Sequence, residues 1–152
     1  MTITEKIKDC KFVLASLLDE QERIVLRNEN KIVQLNVVQF EKGSGSDNKA
    51  LKNNNPIFDG TYSFSTNLLN PNKRAGDLYN FFVTGDFLNG MQLELDSSLI
   101  KVDLFSTGTG SGDKSIFFAG YSNLFGLNNN NAYVLNYEIV YPELMNFIHK
   151  YI

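Results

Sequence analysis

The segment Gly108-Thr109-Gly110-Ser111-Gly112-Asp113-Lys114-Ser115 carries the residue types that most invite chemistry, because glycines let a backbone wrap phosphate while a following Lys and Ser reach the terminal phosphates and magnesium. The spacing does not deliver that chemistry. The position directly before Lys114, where a phosphate loop needs glycine, is Asp113, and a carboxylate there repels phosphate. Other reactive groups are sparse. The chain has one cysteine, Cys10, which cannot form an internal disulfide, and one histidine, His149, which cannot build a histidine-based zinc site. Asp77 with Asp86 and Glu138 with Glu143 pair carboxylates on paper, but an acidic chain contains such pairs by composition, and solvated surface charge is their ordinary state. Cys10 falls on an apolar helical face, the setting of a buried, inert thiol. His149 falls in a last helical turn, where it interacts with terminal carbonyls. The residue inventory therefore points away from an enzyme and implies no catalytic residue, no cofactor and no metal.

Composition narrows the classes further. With 14 Lys+Arg against 17 Asp+Glu the net charge is −3 over 152 residues, and no basic cluster supplies the phosphate-neutralising footprint of a nucleic-acid binder. At 43% hydrophobic the chain can bury a core as one domain. Its uncharged stretches are broken by Gly and Asn before they reach the roughly 20 apolar residues of a membrane span. The opening Met1-Thr2-Ile3-Thr4-Glu5-Lys6 lacks the apolar run of a secretory leader, so none is expected. The 7 Tyr and 12 Phe, without interleaved cations, read as core or protein contact rather than base-stacking platforms.

The elements that must position these residues follow from periodicity. Ile3, Ile7, Cys10, Leu14, Leu17 and Leu18 recur every three or four residues and predict a helix with that face buried and Lys6, Lys8, Asp9 and Lys11 turned away. Gln21–Phe40 fits helix in part and strand in part, and its length without Gly or Pro favours helix. Gly43–Asp47 ends it, and Asn53-Asn54-Asn55-Pro56 keeps the chain irregular to about Gly60. Thr61–Pro71 reads as an extended arm or long loop. Gly76–Asn80 and Gly85–Asn89 are similar phrases, each read as a short helix start, with Thr84 a cap for the second. Met91–Leu95 and Leu99–Phe105 alternate apolar and polar residues about Asp96-Ser97-Ser98, the pattern of a β-hairpin with Leu93 and Leu95 on its buried face. Lys114–Phe125 admits a short helix ending at Gly126. Asn131 is a candidate cap for Ala132–Ile152, read as two helices broken at Pro142. The expected fold is α+β in a single domain: a helical part over residues 1–42, a long arm over 43–75, short helices and a hairpin over 76–127, and C-terminal helices over 128–152.

A family resemblance adds what chemistry does not. The motifs that carry it are Tyr62–Thr66, Lys73–Tyr79, Thr84–Met91 with its Thr-Gly-Asp-Phe start, Phe125-Gly126-Leu127, Pro142-Glu143-Leu144, and the segment Asn28-Glu29-Asn30-Lys31-Ile32-Val33-Gln34-Leu35-Asn36. Together they resemble a family of small virion proteins from tailed phages and prophages of Bacteroidetes. More loosely, the helix start before a hairpin is similar to tail-completion proteins, which join the tail tube to the head connector. The resemblance implies a structural protein of the virion, assembled in the host cytoplasm as a homo-oligomeric ring between connector and tail. Its partners would be other virion proteins, with no membrane and no specific nucleic acid. Each copy of a ring makes heterologous contacts. Long loops are natural places for them, so Tyr62, Phe64, Thr66, Lys73 and Arg74 of the arm and Gly108, Gly110 and Gly112 of the glycine loop are the candidate subunit contacts. The alternatives are another minor capsid or tail component, or a small cytoplasmic binding or regulatory protein of phage origin.

Overall fold

The computed structural model describes residues 2–51, 60–80, 86–96, 101–106, 120–121 and 123–152. Helix α1 (Ile3–Arg27) opens with a capping box: Thr2 accepts from the Glu5 amide while the Glu5 carboxylate accepts from the Thr2 amide. The chain breaks at Asn28 and turns directly into α2 (Glu29–Glu41). Asn28 holds the corner, its Nδ2 donating to the Ile24 carbonyl at 2.9 Å and to Glu143 Oε1 at 2.8 Å. Gln21–Phe40 is thus helical throughout, apart from this one corner.

The buried side of α1 differs from the expected one. Val13, Ile24 and Val25 are buried, whereas Ile3, Ile7, Leu14 and Leu18 are exposed and Cys10 is half-buried. Spacing defines a stripe on a helix but not what covers it, and here the C-terminal helix packs on a different side of α1, where Phe12 meets Tyr151 and Arg27 meets Glu143.

The core has two adjoining clusters. One joins Val37, Phe40, Leu51, Phe87, Leu88, Met91 and Leu124, and the other joins Val25, Ile32 and Leu104, with half-buried Leu93, Leu95, Leu127 and Leu135 closing over it. Phe40 and Phe125 flank Phe87 at centroid distances of 5.8 and 6.3 Å.

Strands β1 (Met91–Asp96) and β2 (Lys101–Ser106) pair antiparallel, with Leu93 opposite Leu104 and Gln92 opposite Phe105. The hairpin and its alternation are as expected: Met91, Leu93 and Leu95 turn inward while Gln92, Glu94 and Asp96 face water. The expected Asp96–Ser98 turn continues beyond the described residues, as do Leu99 and Ile100. A four-residue helix, α4 (Asp86–Asn89), precedes β1, and the Ser106 hydroxyl donates to the Phe87 carbonyl at 2.7 Å, tying the hairpin to it. The architecture is α+β: N-terminal helices, a two-stranded antiparallel sheet and C-terminal helices.

The C-terminal helix is continuous from Asn129 to Tyr151, running as α5 (Asn129–Tyr133), a π-helical stretch (Val134–Val140) and α6 (Tyr141–Tyr151). The break expected at Pro142 is instead absorbed by widening. The Tyr141 amide donates to the Asn136 carbonyl, five residues back, and Pro142 follows within the first turn of α6, where a missing amide hydrogen costs least. The cap of α5 is Asn128, whose side chain accepts from the Asn131 amide; Asn131 lies inside the helix.

Two further expectations change. Thr61–Pro71 is not a loop throughout: Ser63 caps α3 (Phe64–Leu69) by accepting from the Thr66 amide. Gly76–Asn80 does not start a helix, because Leu78 forms an antiparallel bridge with Thr61. Of the short helix read over Lys114–Phe125, residues 114–119 lie outside the described set, and Asn123–Phe125 form a turn into Gly126, whose φ of 105° suits glycine.

Candidate functional site

Among the described residues, three surfaces hold side chains able to act on something outside the fold. The first is an open groove of about 610 Å³ between α1 and α6, lined by Phe12, Glu20, Arg23, Arg27, Glu143 and Tyr151 among others. Four of its charges, Glu20, Arg23, Arg27 and Glu143, are mutually engaged. Glu20 reaches Arg23 and Arg27 at 3.4 Å each, and Arg27 reaches Glu143 at 3.0 Å. At the far end Phe12 stacks obliquely on Tyr151 at 4.9 Å, and Lys150 Nζ lies 5.3 Å from the same ring. Here Glu143 is a structural carboxylate joining α6 to the α1–α2 corner, and Glu138 is exposed elsewhere on the C-terminal helix. Such ion pairs align two helices without supplying a general acid or a nucleophile. Among the described residues no group of three His, Cys, Asp or Glu side chains could hold a metal ion. His149 is exposed in the last turn of α6, and Cys10 is a free thiol.

The second surface is residues 60–80, the later part of the expected 43–75 arm and a few residues beyond it, whereas residues 43–51 pack on the core through Leu51. Its base is a small polar-aromatic knot. The Tyr62 amide donates to the Asp77 carbonyl, the Gly76 amide to the Tyr62 carbonyl, and the Tyr79 amide to the Gly60 carbonyl, at 2.8, 2.9 and 2.9 Å. Tyr62 meets Tyr79 edge-on at 5.0 Å, and its hydroxyl donates to Asn80 Oδ1 while accepting from the Asn80 amide. Lys73 is buried with its ammonium 2.6 Å from the same Asn80 oxygen and 4.9 Å from the Tyr62 ring centre. Tyr62 and Lys73, two of the expected subunit contacts, are therefore committed inside the arm, and Thr66 is half-buried in the α3 cap. Phe64 and Arg74 do face outward. Beside Phe64 stand Leu68 and Leu69, at 67%, 68% and 89% exposure respectively, so α3 ends the arm as an apolar tip. Sequence reasoning missed Leu68 and Leu69. The available signal was Ser63 three residues before Thr66 with Phe64 and Leu68 four apart, a cap and one helical repeat. Gly108, Gly110 and Gly112 lie outside the described residues.

The third surface is the N-terminal half of α1, where Ile3, Ile7, Leu14 and Leu18 face solvent. No described helix is long and apolar enough to cross a membrane. Comparison with protein-family models, with curated proteins and with solved structures finds no match for this chain.

Proposed function

We propose that the chain is a non-enzymatic structural subunit of a tailed-phage particle, a tail-completion or head–tail connector protein that works by presenting apolar surfaces to its neighbours. The observation that carries this reading is the arm: a hydrogen-bonded base spends its polar groups internally and holds Phe64, Leu68 and Leu69 out in water. Exposed apolar clusters of this kind mark protein contacts, because leaving them in water forfeits about 25 cal/mol per Å² that an interface recovers. In a ring, the tip of one copy would seat on a different patch of the next. The family resemblance supplies the particle; the arm supplies the mode of contact.

The test is incorporation. Particles carrying the double change Phe64→Asp and Leu68→Asp should lack the protein by mass spectrometry, while the purified variant keeps the parent's circular dichroism and melting temperature, since both side chains are exposed. Absence of the parent protein from purified particles would move the weight to a small cytoplasmic binding protein. Normal incorporation of the variant would show that the tip is not the contact.

A further inference from the structure

Of the five large aliphatic side chains exposed on α1, four fall on one line and Leu26 lies off it. At 100° per residue Ile3, Ile7, Leu14 and Leu18 lie within about 60° of arc and span roughly 22 Å of helix. Their exposures run from 52% for Ile7 to 81% for Ile3. The line continues into the core, for Val25 lies on it two turns further on and is buried against Ile32 and Leu104 where α2 folds back. The stripe is thus core-type surface whose N-terminal half has lost its cover. These side chains expose on the order of 450 Å² per copy, the size of the largest apolar patch on a typical monomer.

The spacing identifies the cover. The intervals are four, seven and four residues, which read the same in both directions about the midpoint between Cys10 and Lys11. A two-fold axis through that midpoint, with two α1 helices antiparallel, sets Ile3 against Leu18 of the second copy and Ile7 against Leu14, each contact occurring twice, as an isologous interface requires. Two of the three lysines favour this direction. Parallel pairing would set Lys6, Lys8 and Lys11 each beside its own copy. Antiparallel pairing brings Lys6 level with Ala15 and Lys8 level with Val13, inside the uncharged run Phe12–Leu18. Lys11 lies level with its own copy in either direction, and stays at the rim near the axis with its stem along the pair and its ammonium in water. We propose that the exposed stripe of α1 is a self-association face that pairs with the α1 of a second copy, antiparallel, about a two-fold axis beside Cys10. The closed pair would bury about 900 Å², at the low end of specific interfaces, so the dimer forms and parts with concentration. This inference does not rest on the proposed place in a particle, since α3 and α1 are separate surfaces and the two tests use different residues.

Sedimentation of the full chain across a concentration series should show a reversible monomer–dimer equilibrium. Leu14→Glu, on the exposed stripe, should weaken it by about tenfold or more with the fold retained by circular dichroism. Direction is read by oxidation in a Cys10→Ser background. An equimolar mixture of Ile7→Cys and Leu14→Cys chains, distinguished by mass, should cross-link mainly as the mixed 7–14 pair. A monomer at every concentration up to about 1 mM, a dimer untouched by Leu14→Glu, or predominant 7–7 and 14–14 products would each overturn the proposal.

Discussion

Asparagine and glutamine side chains do at the residue scale what regular backbone pairing does elsewhere. Buried Asn36 and Gln39 of α2 both donate to the Gly126 carbonyl at 3.0 Å, and Gln39 Oε1 accepts from the Asn128 amide at 2.8 Å. Asn131 Nδ2 donates to the Leu35 carbonyl at 2.7 Å. These bonds fasten the Phe125–Leu127 turn and the start of α5 to α2. Replacing Gln39 by Leu would leave the Asn128 amide buried without its acceptor, and denaturant titration should report a loss of about 2–3 kcal/mol. Asn123 acts similarly on the 43–51 loop: its carbonyl accepts from Ser46, and its amide donates to Asp47 Oδ1 at 2.9 Å and to the Ala50 carbonyl. The Asn123 amide, and then the Lys49 backbone amide, hold the Asp47 carboxyl below its usual range. A carboxyl depressed in the folded state stabilises above its unfolded value and loses that contribution as pH falls through the folded one. Asp47→Asn should therefore melt lower than the parent at pH 6, and the gap should narrow as pH drops below about 4. A gap of constant size across that range would show that ionisation of Asp47 is not involved.

At the scale of elements, burial separates strand residues that their sequence pattern treats alike. Leu104 on β2 is buried between α1 and α2 side chains, whereas Leu93 and Leu95 on β1 are half-buried at the margin of the same cluster. Leu104→Ala should cost roughly 2–5 kcal/mol as a full core truncation, and Leu93→Ala about half as much, because water already reaches part of that side chain. Equal losses in denaturant midpoints would mean that the hairpin sits deeper than described. Gly43 shows the same dependence on surroundings: it ends α2 with a φ of 66°, and a Cβ there would lie 2.5 Å from the Leu78 Cβ, so the arm's base closes directly on the end of the helix.

For the whole molecule, the arm is an appendage bonded within its own base and seated on the core through Tyr79. Its amides at Tyr62, Gly76 and Tyr79 are bonded to carbonyls within residues 60–80, so hydrogen exchange should protect these three together and more strongly than their neighbours Arg74 and Ala75. Lys73→Met should speed exchange at all three by removing the ammonium that links Asn80 to Tyr62, without altering exchange in α2. Protection unaffected at Tyr62 and Tyr79 would show that the backbone bridge alone holds the arm. The arm and α1 leave apolar surface exposed in different parts of the chain.

The sequence by itself determined the α+β class, the presence of α1, the hairpin and its inward face, and the helical C-terminal segment. Each of these rests on a period of 3.6 or 2 that runs long enough to be read locally. Three things belonged to tertiary structure. Six residues are too few to display a period, so α3 and its outward Leu68 and Leu69 were hidden inside an apparent loop. The pairings of Asn123 and Asn131 were not legible because a side-chain amide gains its meaning only from the carbonyl it meets, and those of Ala50 and Leu35 lie 73 and 96 residues away. Which face of α1 is buried was the third: an apolar stripe states that cover is needed, but only the packing of α2 and β2 shows that the chain itself supplies it at Val25 and leaves it open from Leu18 to Ile3.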